Sequence, residues 1–481
     1  MVRCIGVFTF LAFAALAGTI PASATVQFTS NIYTSVSGDL DTNSIANGDF
    51  NNDGILDMVT INTNTLSFYA GIGSGSFASP VSQTIPENLG QGFAADVNGD
   101  GKLDLVIGGG GQVGQNSVVT ILLGNGDGTF TPGATVNVNG RAQFITMADF
   151  NGDHVPDFAA SVCTSSRCNT QVFLGQGNGT FKRSAALIDG GGVIVAGDLN
   201  ADGHQDIAVL GGNGVVVYLG NGDGSFQSAL QSTQSSAVGL AVGDFYDDRI
   251  QTLAVLDAVY DDGNYVYYVA TVQYENGALV SSKPRFATRD QYFDLIAAGD
   301  LNGDFKDDIV LVGGNVRAYP LTGYMLGTGK GTFGEYVSLP AYGTGESFPF
   351  VRDLSLDSRH DIGASWDGSY GDAGSGAIVL LNDSAPTNCD PPPANALGVH
   401  VCAPDSGEKV GSTFTFKAAG NAINGIAKRM ELWIDGNKIG QNLEDQLKIK
   451  TTLTPGSHTA SFVVVDAFDN YASQSVTFTA K

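Results

Sequence analysis

Short apolar runs alternate with Gly-, Asn- and Asp-rich turns along most of the chain. In residues 92–138 this pattern predicts four strands, at 92–96, 103–107, 118–123 and 130–138. No stretch sustains a helical period, so the expected fold class is all-β.

The four-strand unit repeats. Its first turn carries a nine-residue pattern, seen in full in Asp96, Asn98, Asp100, Gly101, Lys102 and Asp104. Asp49, Asn51, Asp53, Gly54, Ile55 and Asp57 form a second full copy, and Asp198, Asn200, Asp202, Gly203, His204 and Asp206 a third. Two copies keep the carboxylates without the glycine: Asp149, Asn151, Asp153, Val155 and Asp157 with His154 between, and Asp300, Asn302, Asp304, Lys306 and Asp308 with Phe305 between. Relics at 244–252 and 353–361 have lost several oxygens. The starts lie 46 to 56 residues apart, so this is a repeat protein.

Side-chain oxygens at positions 1, 3, 5 and 9, with the carbonyl of position 7, suit a hard cation taking six to eight oxygens, so the expected cofactor is Ca²⁺. Glycine at position 6 permits the sharp turn. The closing acid stands at 9 rather than 12 and the flanks are strand-like, so the loop is not an EF-hand. The alternative is an Asx-rich turn that needs no metal. Copies starting at 49, 96 and 198 are expected to bind best, those at 149 and 300 more weakly, and the relics not at all.

A second motif is locked to the first. Leu123-Gly124-Asn125-Gly126-Asp127-Gly128-Thr129-Phe130 returns at 174–181, 219–226, 326–333 and, more loosely, 70–77. With both motifs in fixed phase over residues 25–385, the chain resembles the FG-GAP or VCBS repeat family of integrin α-subunits and many secreted bacterial proteins. The resemblance implies a seven-bladed β-propeller with calcium between the first and second strands of a blade. The segment 26–33 looks like the Phe-led fourth strand of other repeats, and the seventh repeat stops after its third strand. The N-terminal strand is therefore expected to complete the last blade and close the ring.

Residues 1–24 read as a secretory signal, with Arg3, an apolar run and Ala22-Ser23-Ala24 before the cleavage point. No run is long enough to span a bilayer as a helix. A secreted, periplasmic or cell-surface protein is expected. Without Arg3 the chain has 22 basic and 48 acidic residues, with the excess almost wholly in the repeats, so nucleic acid is not an expected partner. Local disulfides are expected for Cys163 with Cys168 and for Cys389 with Cys402. A Pro-rich linker at 386–396 leads to residues 397–481, whose alternating strands at 412–418, 430–434, 447–453, 458–465 and 475–479 resemble a bacterial Ig-like module. Asp435-Gly436 marks a hairpin turn, and Trp433 is read as core.

No nucleophile elbow, zinc-protease motif or phosphate loop occurs, and no catalytic residue is nominated. The links between second and third strands differ most among repeats, and variation confined to one face of a repeat array marks a binding face. Tyr260, Asp261, Asp262 and Tyr265 in the fifth repeat and Trp366, Asp367 and Tyr370 in the seventh fall there, with Arg141, Arg289 and Tyr292 on links between repeats. Rings that stack on sugars and carboxylates that accept hydroxyls point to an extracellular glycan or glycoprotein partner. The alternatives are a polysaccharide- or sugar-active lyase or dehydratase, as some relatives of this repeat family are, and a structural surface protein.

Overall fold

The computed structural model describes residues 26, 28–34, 42–62, 64–73, 75–86, 91–109, 117–186, 188–211, 214–248, 250–289, 293, 295–314, 320–339, 349–355, 359–366, 376–382, 397–421, 427–442, 446–466 and 471–481. The expected signal (1–24) and linker (386–396) lie outside them, as do Tyr292, Asp367, Tyr370 and Cys389. The described residues are all-β, with no helix.

The sheets follow the repeats. Thr42–Gly48, Asp57–Asn62, Thr65–Tyr69 and Val81–Thr84 pair antiparallel in sequence order. The same order returns from Gly92–Ala95 to Phe130–Val138 and in each later repeat, with an added edge strand in the third and fifth. The last of these sheets joins Phe350–Arg352, Asp361–Trp366 and Gly376–Asn382 to the N-terminal strand Phe28–Thr34. That strand runs antiparallel to 376–382, from Phe28 opposite Asn382 to Thr34 opposite Gly376.

The first strands of successive sheets lie against one another, from Thr42–Gly48 through to Phe350–Arg352, and Asp361–Trp366 returns to Thr42–Gly48. The sheets thus close a ring, and this part of the chain is a repeat β-propeller. Each sheet buries both faces, which is why its inner strands read as unbroken apolar runs. Val106, Val119 and Ile121 of one sheet share a core with Ile145, Phe158 and Phe173 of the next. Closure through the N-terminal strand leaves few strand edges exposed.

Residues 398–480 form two further sheets. Gly398–Ala403, Thr413–Asn421 and Gln446–Thr452 make a three-stranded sheet, while Ala427–Ile434, Gly456–Asp466 and Tyr471–Ala480 lie within a five-stranded one. Phe416, Ile449, Leu432, Phe462 and Phe478 share the core between them. Asp435 and Gly436 form the expected turn, both left-handed. Trp433 is not core. Met430, Leu432 and Ile434 point inward, so strand alternation sends Trp433 to the other face, where it is half-buried and its indole N–H donates to Glu431 at 2.9 Å.

Candidate metal loops and the opposite face

In each of the five fuller loops the backbone wraps around the carboxylate at position 1. The N–H of Asp53 donates to Asp49 Oδ1 at 3.1 Å and that of Gly54 to Oδ2 at 3.0 Å. Equivalent pairs hold Asp96, Asp149, Asp198 and Asp300. The Asn at position 3 accepts from the same N–H at position 5, at 2.8 to 3.1 Å. The carboxylate at position 5 accepts from the N–H of position 7, which places Ile55, Lys102, Val155, His204 and Lys306 at the end of the turn.

Position 6 is left-handed whether or not it is glycine: His154 (φ 65) and Phe305 (φ 66) adopt the backbone of Gly101 (φ 80). Those two copies keep the loop shape at a cost in strain of about 1–2 kcal/mol each. Position 4 is left-handed as well, at Asn52, Gly99, Gly152, Ala201 and Gly303, a requirement the sequence pattern did not bring out.

The aspartate at position 9 joins the two motifs. Asp104 is fully buried; its Oδ2 accepts from the N–H of Val97 at 3.0 Å and its Oδ1 from that of Gly124 at 2.8 Å. Asp57, Asp157, Asp206 and Asp308 bind their loop and the glycine of their own second motif in the same way. That glycine sits on the backbone: a Cβ on Gly124 would stand 2.1 Å from the carbonyl oxygen of Leu103. The second motif also reaches the preceding sheet, where the N–H of Gly128 donates to the carbonyl of Phe50 at 3.0 Å. Gly179, Gly224 and Gly331 repeat that bond to Val97, Phe150 and Phe245. This chain of bonds is the physical reason the two motifs keep phase.

Burial pushes the pKa of Asp57 up to about 7 and those of Asp104, Asp157 and Asp206 to about 6, against the pull of their N–H donors. The carboxylates at positions 1 and 5 of each loop add to the rise by repulsion. Asp308 is raised well above the usual range, by burial and then by Asp300. Among the described residues, no three His, Cys, Asp or Glu side chains converge as a metal ligand set.

Cations already meet some loops. Lys306 pairs with Asp304 in its own loop. Lys448 of the C-terminal module meets Asp247 of the relic loop at 2.5 Å, and Lys417 lies 5.0 Å from the Phe305 ring centroid. The C-terminal module therefore rests on the loop face of the ring.

The links between second and third strands leave from the opposite face. Cys163 and Cys168 close one of them with a disulfide, as expected. In the fifth repeat, Thr252–Asp261 and Asn264–Glu275 form a long hairpin turning at Asp262 and Gly263. Tyr260 and Tyr265 meet edge to face, 5.3 Å apart, and Arg289 pairs with Asp261 at 2.5 Å. These predicted rim residues come together at one tip. Arg141 does not join them: it begins a strand of the third sheet, opposite Cys163. Trp366 ends Asp361–Trp366 in the last sheet, and its side chain is outside the described residues.

Sequence reasoning missed a cleft beside this hairpin, lined by Asp257, Tyr268, Gln234 and several hydroxyl residues. One signal was present. Asp257 is a charge in an apolar strand, five residues past Thr252, where other repeats carry Asn62, Val162, Gly211 or Gly313.

The family model for FG-GAP-like repeats matches residues 49–107, 96–160 and 198–255. No curated protein matches the sequence significantly. Among solved structures, the chain is similar to an Agrocybe aegerita lectin described as specifically recognising non-reducing terminal N-acetylglucosamine, at 20% identity and TM-score 0.44, over 63% of this chain and 81% of the lectin. A Penicillium chrysogenum α-L-arabinanase aligns at 11% identity and TM-score 0.44, over 74% of this chain and 98% of the arabinanase. Likenesses at this level assign no activity, while the three matched segments carry FG-GAP-like repeats within the propeller.

Proposed function

We propose that the chain is a secreted, seven-bladed, calcium-stabilised β-propeller followed by an Ig-like sandwich, and that it recognises an extracellular glycan or glycoprotein on the face opposite the metal loops. The observation that carries this reading is the division between the faces: near-identical acidic loops on one, and dissimilar aromatic, acidic and hydroxyl-rich links on the other. The Cys163–Cys168 disulfide supports an oxidising compartment.

Each fuller loop offers three carboxylates and an asparagine oxygen at positions 1, 3, 5 and 9, a donor set that fits calcium. Asp96, Asn98, Asp100 and Asp104, with the carbonyl of Lys102, would hold the ion in the second repeat. The ion would compensate the mutual repulsion of the carboxylates and stabilise the turn. Its role in this reading is structural, and recognition belongs to the other face.

The test is an array of polysaccharides and matrix glycoproteins probed with the mature chain, in calcium and in chelator, with bound material checked for a change in mass. Binding without a mass change is the expected result. A mass change would make the chain an enzyme, and no binding at all would leave a structural surface protein.

A further inference from the structure

Between the fourth and fifth sheets, the links at 233–236 and 281–284 border an open cleft of about 540 Å³ on the face away from the metal loops. That size lies within the range of small-molecule sites. Asp257 lines it, 8% exposed, and its Oδ1 has no hydrogen-bond partner. Leaving a buried carboxylate unanswered costs free energy, and burial alone pushes its pKa up to about 6. A group that costly implies something that answers it.

The rest of the lining defines what that is. Tyr268 stands directly across the strand pair from Asp257 and is half-exposed. Its ring meets Phe286 edge to face at 6.1 Å. On the other wall the Oε1 of Gln234 accepts from the Ser281 hydroxyl at 2.7 Å, so the group Gln234 offers to a ligand is its NH2. The carbonyl of Ser236 accepts from the N–H of Ala258 at 2.9 Å and fixes this link against the strand.

We propose that this cleft is a subsite for one neutral, hydroxyl-bearing sugar unit, with Asp257 accepting from its hydroxyls, Gln234 donating to them and Tyr268 covering its apolar face. The proposal rests on the glycan-recognition reading and gives it a place. An ammonium group would satisfy Asp257 but meet a second donor in Gln234. A sugar hydroxyl answers both, because it donates and accepts. An anion would face the Asp257 carboxylate, and a calcium ion would find a single carboxylate where it takes six to eight oxygens.

The experiment uses the mature full-length chain and saturation-transfer NMR. The probes are methyl glycosides of glucose, galactose and mannose, N-acetylglucosamine, and tetramethylammonium as a cationic control. At least one neutral sugar should bind, and Asp257→Asn and Tyr268→Ala should each weaken it tenfold or more, with the unfolding temperature checked for both. Tyr471→Ala, on the C-terminal module and 73% exposed, should leave affinity within twofold. Binding that survives both cleft variants within twofold would overturn the subsite while leaving glycan recognition standing elsewhere on the face. Binding of the cation with no neutral sugar bound would overturn the ligand class. Silence from every probe, with no glycan captured on the array, would overturn the functional reading and the subsite with it.

Discussion

Asp104 and Asp257 are both buried carboxylates raised to about 6, and they stand on opposite faces of the ring. Asp104 has a backbone N–H on each oxygen. Asp257 has no partner on Oδ1. The first takes one donor from its own loop and one from the second motif of the same repeat, so it works as framework and can recur. The second lies where segments from two sheets meet, so it occurs once. A buried acid answered by its own backbone holds the fold, and one left unanswered is arranged for something that arrives later.

The largest effect should come from removing the framework acid. Asp104→Ala strands the buried N–H groups of Val97 and Gly124, at about 1–3 kcal/mol each. Urea unfolding should show a loss of about 2–5 kcal/mol in chelator, and a further loss in calcium, where the variant also gives up a ligand. A loss confined to calcium would make Asp104 a ligand alone.

Asp257→Asn should act in the other direction. The folded-state pKa of Asp257 is raised above the unfolded value, so its contribution to stability is fully present below about pH 4 and is lost as pH rises through about 6. The asparagine variant should therefore be more stable than the parent by on the order of 1–3 kcal/mol at pH 7, and nearly equal at pH 4. Parallel pH profiles of unfolding temperature for the two chains would show that the carboxylate is answered after all.

A smaller effect separates the position-5 acid from the position-9 acid. Asp100→Ala should cost about 1 kcal/mol at millimolar calcium and little in chelator, given affinities of roughly 0.1–1 mM for extracellular calcium modules. Equal loss in both conditions would refute the metal role. The smallest change is His154→Gly. The His154 side chain is 96% exposed, so removing it releases the left-handed strain with little lost packing. Thermal unfolding should report a gain of about 0.5–1 kcal/mol, and a loss would mean that the imidazole matters to its loop.

The sequence made the framework face legible because its information is local. Position-1 and position-5 aspartates, the position-3 asparagine and the position-6 glycine encode turn and hydrogen bonds within nine residues, and Phe28–Thr34 announced ring closure through its likeness to other fourth strands. Two features of the same loops escaped: the left-handed backbone at position 4, where Asn, Gly and Ala all occur, and the bond from position 9 to the second motif. The cleft was hidden for a different reason. Gln234, Asp257, Tyr268 and Ser281 are brought together only by ring packing, and no spacing rule links them. Of the expected rim residues, Tyr260 meets Tyr265 and Asp261 meets Arg289 at one tip, while Arg141 lies in another sheet.

The most direct test of the division between faces is hydrogen exchange of the mature chain in calcium, with and without the glycan selected by the array. New protection should fall on residues 232–237, 256–268 and 281–286, with the loops at 49–57, 96–104 and 198–206 unchanged. Protection centred on those loops, with the opposite face unchanged, would contradict the account.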